Sequence, residues 1–220
     1  MTHMAMSSIR VMATCALLGE AVGKAAGIAV KEKLTPHGVY LEKLSVLQKL
    51  LQNEDCFLPH IRREISDVCK NAHLSGDETL RNGEDRAHKI YGEKEPFFAK
   101  LGEEISYKFD EAKVSEIHIV FDSDLERYTL PGSECERTHS TRANVRLDSP
   151  VMHMPKTLCR EFKLIGELNG EKTEILHVTD NRKRSYHINT DSIFDSLTLI
   201  PLDIWDSGNE EIPVISFDFN

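Results

Sequence analysis

A chain of 220 residues, 40% apolar and 29% charged, has enough apolar surface to bury a core and is not globally disordered. Its formal net charge of −9 excludes nucleic acid as the expected partner, because phosphate recognition needs clustered Lys and Arg. The five cysteines (Cys15, Cys56, Cys69, Cys135 and Cys159) are scattered and form no CxxC, which argues against a zinc knuckle or dithiol pair and predicts reduced thiols in a cytoplasmic protein.

The first element is a helix over residues 9–31, Ala-rich and free of proline, with Ser7 and Ser8 as capping residues. Glu20 and Lys24 form an i,i+4 pair in the favourable order. Residues 12–30 are apolar enough to raise a membrane span, and Gly19, Gly23 and Gly27 give a GxxxGxxxG pattern. Glu20 and Lys24 fall in its middle, where each charge costs about 2.5–3.5 kcal/mol at a bilayer centre, so no membrane span is expected. The same charges interrupt the apolar core that a signal peptide requires.

Thr35 is a good N-cap, and Pro36 suits the first position of a second helix. Tyr40, Leu44, Leu47 and Leu51 form one apolar stripe that ends near Asn53. Ile61, Ile65 and Val68 predict a short third helix within 60–72.

From Leu74 the chain becomes turn-rich, with Gly76, Asn82-Gly83, Gly92 and Pro96. Alternation then takes over. Ile105, Tyr107 and Phe109 share one face, as do Ile117, Ile119 and Phe121. Phe162, Leu164 and Leu168 lead into Asn169-Gly170, a hairpin signal. Further strands are predicted at 175–178, 185–188, 197–200 and 214–219, and Arg182-Lys183-Arg184 reads as a solvated hairpin loop. The expected class is α+β, an N-terminal helical arm followed by an antiparallel β-sandwich or jelly roll. The predicted boundaries are a helical part at 1–59, a linker at 60–75 and the sandwich at 76–220. Two helices alone cannot bury their own apolar faces, so the arm reads as part of something larger.

The glycines, with Cys15, Ala25, Ala26 and Ala29, make a small-residue surface that another backbone or a flat cofactor can approach closely. The helix start offers unpaired N–H groups and the positive end of the macrodipole, which suit an anion or an electron-rich ring edge. Tight packing without a ligand is the alternative, and composition leaves both open.

Thr2-His3, the small turn through Ser7-Ser8, Arg10-Val11-Met12 and Gly19-Glu20-Ala21-Val22-Gly23-Lys24-Ala25-Ala26 resemble the C-terminal FAD-contacting motif of FAD-dependent oxidoreductases. Glu20 stands where that motif has Gln, and Lys24 where it has Thr. The resemblance continues through Leu34-Thr35-Pro36 and Cys56-Phe57-Leu58-Pro59. It implies a two-electron flavin enzyme in complete form, with Ser7, Ser8, Arg10, Val11, Met12 and Gly19 beside FAD. His3 either faces the substrate side or is a frayed terminal side chain. The GxGxxG fingerprint occurs nowhere in the chain. The expectation is therefore weak or absent FAD binding by this chain alone, no activity in isolation, and a partner in the form of an N-terminal flavin and substrate domain or a separately encoded flavin subunit.

Asn82-Gly83-Glu84-Asp85-Arg86, residues 102–109 and 114–125, Asp180-Asn181-Arg182 and the ending 212–219 resemble a galactose-binding-like, discoidin-type β-sandwich. That resemblance bears on the fold more than on a ligand; the alternative function is a carbohydrate- or partner-binding module trailing a vestigial arm, for which Trp205 and Tyr128 are the candidate aromatics, with core or rim packing the expected role of both. No metal is expected: Cys135, His139 and His153 follow no zinc spacing, and Asp122 with Asp124 reads as a turn cap rather than a calcium site. No Ser/His/Asp arrangement can be assigned from order alone.

Overall fold

The computed structural model describes residues 11–86, 95–124 and 153–220, and the chain divides into two compact units, Met1–Arg63 and Glu64–Asn220. The first is helical and the second is an antiparallel sheet domain.

In the helical unit, α1 spans Met12–Glu32 and is capped by Val11, so it starts later than the expected Ser7-Ser8 cap, which lies outside the described residues. It ends where Lys33 turns left-handed at φ 56° and the Leu34 N–H returns to the Ala29 carbonyl at 2.9 Å, a Schellman-type stop. The Glu20–Lys24 pair forms at 3.8 Å. By length and composition α1 could cross a bilayer.

Thr35 caps the next helix as expected, its hydroxyl accepting from the Gly38 N–H at 3.0 Å, with Pro36 leading. The single helix expected from the apolar stripe is two, α2 (Pro36–Glu42) and α3 (Leu44–Asn53), because Lys43 leaves helical geometry at φ −130° and ψ 17°. That break resets the helical phase. Val39 and Leu51 are buried, whereas Tyr40 and Leu44 are exposed.

The third helix shrinks to α4, Asp67–Asn71. Ser66 caps it by accepting from the Cys69 N–H at 3.1 Å. Ser66 is also tied to the other end of the chain: its hydroxyl donates to the Phe219 carbonyl at 2.9 Å, and its N–H to Asn220 Oδ1 at 2.7 Å. Those bonds hold the approach to Ser66 extended. Ile65, Cys69 and Ala72 join the core of the sheet domain, so the latter part of the stretch expected as a linker packs as part of that domain.

The strands are β1 (His73–Leu74), β2 (Phe97–Lys100), β3 (Ile105–Phe121), β4 (Cys159–Leu168), β5 (Glu171–Val178), β6 (Ser185–Ile204) and β7 (Glu211–Phe219). Their order is β2-β7-β3-β6-β4-β5, with β1 also on β3 and every pairing antiparallel. Two pairs of expected strands have merged, 105–109 with 117–121 into β3, and 185–188 with 197–200 into β6. The β3–β6 ladder shifts register between Lys108 and Ala112 and between Val114 and Glu116. Such irregularities interrupt the alternation while the strand continues, bending it.

That bend closes the sandwich. Phe217 of β7 pairs with Ile119, and a straight strand would carry Tyr107 about 40 Å from Ile119. Instead the Tyr107 hydroxyl donates to the Phe217 carbonyl at 2.6 Å and the two rings lie 5.2 Å apart. The first half of β3 therefore folds back over β7, and one hydrogen-bonded ladder makes two layers. Between them lie Tyr107, Ile117, Ile119, Phe121, Phe162 and Leu164, all fully buried.

The hairpin turn is as expected: Asn169 and Gly170 both take positive φ, 53° and 85°, as a two-residue turn matched to strand twist requires. Strand β7 departs from alternation, being buried on both faces from Ile212 to Phe219. Its outer face is covered in part by residues 84–85, where Ser216 Oγ lies 3.0 Å from the Glu84 carbonyl and 3.1 Å from Asp85 Oδ1. In the basic loop Arg182 and Lys183 are exposed as expected, but Arg184 is half-buried and donates to the Asp85 carbonyl at 2.7 Å.

Candidate functional site

The first candidate is the open face of α1. Ala21, Lys24, Ala25 and Ile28 recur at helical spacing and make the face turned toward α2 and α3; Ile28 alone is buried. The rest is solvent-facing. Met12 is 87% exposed and Val22 68%, and Cys15, Gly19, Gly23 and Ala26 are exposed beside them. A side chain built at Gly19, Gly23 or Gly27 would meet nothing within 4 Å. Among the described residues the glycines therefore serve no packing, and they leave a shallow, nearly side-chain-free surface.

At the N-terminal end of this face no side chain among the described residues caps the helix, and its first turn carries no acidic residue. The positive end of the macrodipole and the first N–H groups thus have no anionic partner within the helix. Val11 is the cap residue and Met12 the first helical residue, and both are exposed. Gly19 lies two turns further along the same face as Met12. His3, Ser7, Ser8 and Arg10 lie outside the described residues.

The two departures from the family motif sit elsewhere on the helix. Lys24 Nζ lies 3.8 Å from Glu20 and 3.9 Å from Glu54 just past α3. Lys43 meets Glu32 at 3.5 Å. Glu20 and Lys24 thus complement each other, Lys24 toward the side of α1 that packs and Glu20 at the border of the glycine face.

In the sheet domain, Trp205 is no free platform for a ring. Its indole N–H donates to the Asn181 carbonyl at 2.8 Å, and the guanidinium carbons of Arg160 and Arg182 lie 5.2 and 6.0 Å from its ring. Tyr128, Cys135 and His139 lie outside the described residues. His153 is exposed, with Nδ1 2.7 Å from the Met154 carbonyl. The Asp124 N–H donates to Asp122 Oδ2 at 3.1 Å, the expected turn cap. Among the described residues no group of His, Cys, Asp and Glu could hold a metal ion.

The sequence reading missed one polar cluster. His118 is buried, with Nε2 3.5 Å from Asp85 and its ring 6.3 Å from that of His187. Alternation with Ile117 and Ile119 aims His118 away from the core, so it reads as exposed in sequence. Residues 84–85 cover it, a contact that local pattern does not signal. The Ser216 hydroxyl is engaged by Glu84 and Asp85 rather than by His118, so the cluster pins a segment rather than activating a nucleophile. The buried thiols are equally unsuited to attack: burial pushes Cys69 up to about 12 and raises Cys159 as well.

Comparison with known proteins gives two kinds of match. The family described as FAD dependent oxidoreductase matches residues 1–51. No curated protein matches the chain. Among solved structures, it is similar to a GH31 CBM32-2 module bound to GalNAc, at 14% identity over 68% of this chain and 96% of that one, with TM-score 0.44. It is also similar to the family 32 carbohydrate-binding module of Streptococcus pneumoniae EndoD, at 9% identity over 70% and 99% with TM-score 0.43. The family 32 module of C. perfringens NanJ in complex with galactose gives 11% identity over 68% and 91%, with TM-score 0.37. The N-terminal 51 residues match the FAD dependent oxidoreductase family, and the solved structures similar to the chain include family 32 carbohydrate-binding modules.

Proposed function

We propose that the helical arm is the C-terminal part of a FAD-dependent oxidoreductase domain, that it supplies one wall of the flavin pocket, and that the β-sandwich is an accessory domain. The observation that carries this reading is the face of α1 running from Met12 through Gly19 to Ala26, apolar and small yet exposed, within the stretch that matches the family. The flavin supplies two-electron redox chemistry when bound. The chain's own contribution is geometric and electrostatic. Gly19 and Gly23 permit close approach, and the N–H groups at the start of α1 favour an electron-rich edge. Ser7, Ser8, Arg10, Val11 and Met12 contact the cofactor, and His3 faces the substrate side. With no GxGxxG in the chain, the pyrophosphate site and the substrate pocket come from a flavin and substrate domain in N-terminal sequence or in a separate subunit. The chain alone is inactive and cytoplasmic.

Complementation in trans tests this. A family member truncated before its own Arg-Val-Met helix is mixed with this chain and desalted. The expected result is an oxidised-flavin absorption band retained by the mixture and not by the chain alone. Gly19→Leu with Gly23→Leu fills only open space and should abolish retention while leaving helix content unchanged by circular dichroism. A yellow chain on its own, or a mixture indifferent to the double variant, would defeat the reading.

A further inference from the structure

The core-facing column of the β4–β5 hairpin changes character along its length. Cross-strand partners run Phe162–Val178, Leu164–Leu176, Gly166–Thr173 and Leu168–Glu171. The first two pairs are core. At the third, the missing side chain of Gly166 makes room for the Phe194 ring, which a methyl group there would overlap. Phe194 comes from the irregular stretch of β6, and beyond it the space between β6 and the hairpin is not filled. It forms an open groove of about 560 Å³, within the size range of small-molecule sites.

The walls of this groove carry unused hydrogen-bonding capacity. Thr173, Thr190, Ser192 and Glu171 are among the residues that line it, and among the described residues none of their side chains makes a hydrogen bond or ion pair. Apolar surface comes from Leu168, Ile175 and Phe194. Glu171 is the one charged residue in the lining, on a chain of net charge −9. Hydroxyl and carboxylate oxygens accept hydrogen bonds, and an ammonium group offers three donors and no acceptor. Among the described residues the lining has no Trp or Tyr face for a sugar ring or a quaternary cation, and no Lys or Arg for an anion.

From this juxtaposition we propose that the groove binds a small protonated aliphatic amine. The ammonium lies against Glu171 and the hydroxyls of Thr173, Thr190 and Ser192, and the methylenes lie on Leu168 and Phe194. The acidic balance of the chain favours approach of a cation. The site is independent of the role assigned to the helical arm.

The test is titration of the full chain with n-butylamine, followed by amide chemical shifts, with sorbitol and succinate as neutral and anionic comparators. The expected result is saturable shifts at Thr173, Thr190, Ser192 and their neighbours for n-butylamine alone. Glu171 is exposed, so Glu171→Gln leaves the fold intact and should weaken binding about tenfold, the equivalent of about 1.4 kcal/mol. Ser192→Trp, which fills the groove, should remove it. Unchanged binding in Glu171→Gln, shifts spread over the acidic surface, or saturation by sorbitol or succinate instead would overturn the assignment.

Discussion

Removing the Tyr107 hydroxyl probes whether the folded-back strand holds the two layers together. Tyr107 is fully buried on β3 and donates to the Phe217 carbonyl on β7 at 2.6 Å. Tyr107→Phe keeps the ring contacts to Phe217 and Phe219, at 5.2 and 5.3 Å, and deletes only the hydroxyl. A buried carbonyl then loses a partner, which costs about 1–3 kcal/mol. For a chain of this size that corresponds to a fall in Tm of about 2–12 °C. Tyr107→Leu also removes ring volume, and its total should reach about 3–5 kcal/mol. The assay is equilibrium urea unfolding followed by Trp205, the only tryptophan, which lies in the sheet domain and reports its unfolding. The slope should be unchanged and the midpoint should fall in the order wild type, Phe, Leu. A Phe variant within about 0.5 kcal/mol of wild type, the usual spread of neutral surface changes, would refute the idea that this bond ties the layers.

Gly166→Ala should destabilise the sheet domain by about 1–3 kcal/mol through overlap with Phe194. In a Phe194→Ala background that cost should vanish, and an equal cost in both backgrounds would show that the ring is not the obstacle. Among the four described cysteines, alkylation of the native protein should modify exposed Cys15 first and Cys56 more slowly, sparing Cys69 and Cys159 until unfolding; mass mapping after brief iodoacetamide treatment reads the order. The Cys69 thiol, held up to about 12 by burial against an ordinary 9.0, stays neutral in the fold while the unfolded chain ionises. Stability from this group is therefore complete below about pH 9 and lost as pH rises toward 12. Urea midpoints should fall across that window, and less so in Cys69→Ala; parallel pH profiles for the two proteins would contradict this.

The candidate flavin wall was legible in sequence as far as its spacing. Glycines four apart and the Arg10-Val11-Met12 run mark one helix face and its start, whatever surrounds them. Which face is open was not legible. That depends on α2 and α3 taking the side with Ala21, Lys24 and Ile28, and on the break at Lys43 that sets where those helices turn. The amine groove was invisible because its parts come from β4, β5 and β6, and its polar column differs from an ordinary exposed strand face only once Phe194 is seated.

What the sequence alone determined are features whose partners lie within a few residues. The Thr35-Pro36 helix start, the Glu20–Lys24 pair, the Asn169-Gly170 turn and the Asp122 cap all form as read, because their hydrogen bonds and dihedral preferences are local. Tertiary structure alone decided that four expected strands are two bent ones, that α4 begins only at Asp67, and that His118 and the outer face of β7 are buried. Each rests on groups remote in sequence, Tyr107 with Phe217, Ser66 with Phe219 and Asn220, and Ser216 with Glu84 and Asp85. A register shift breaks alternation just as a strand end does, and an outward-facing residue reads as exposed until another segment of the chain covers it.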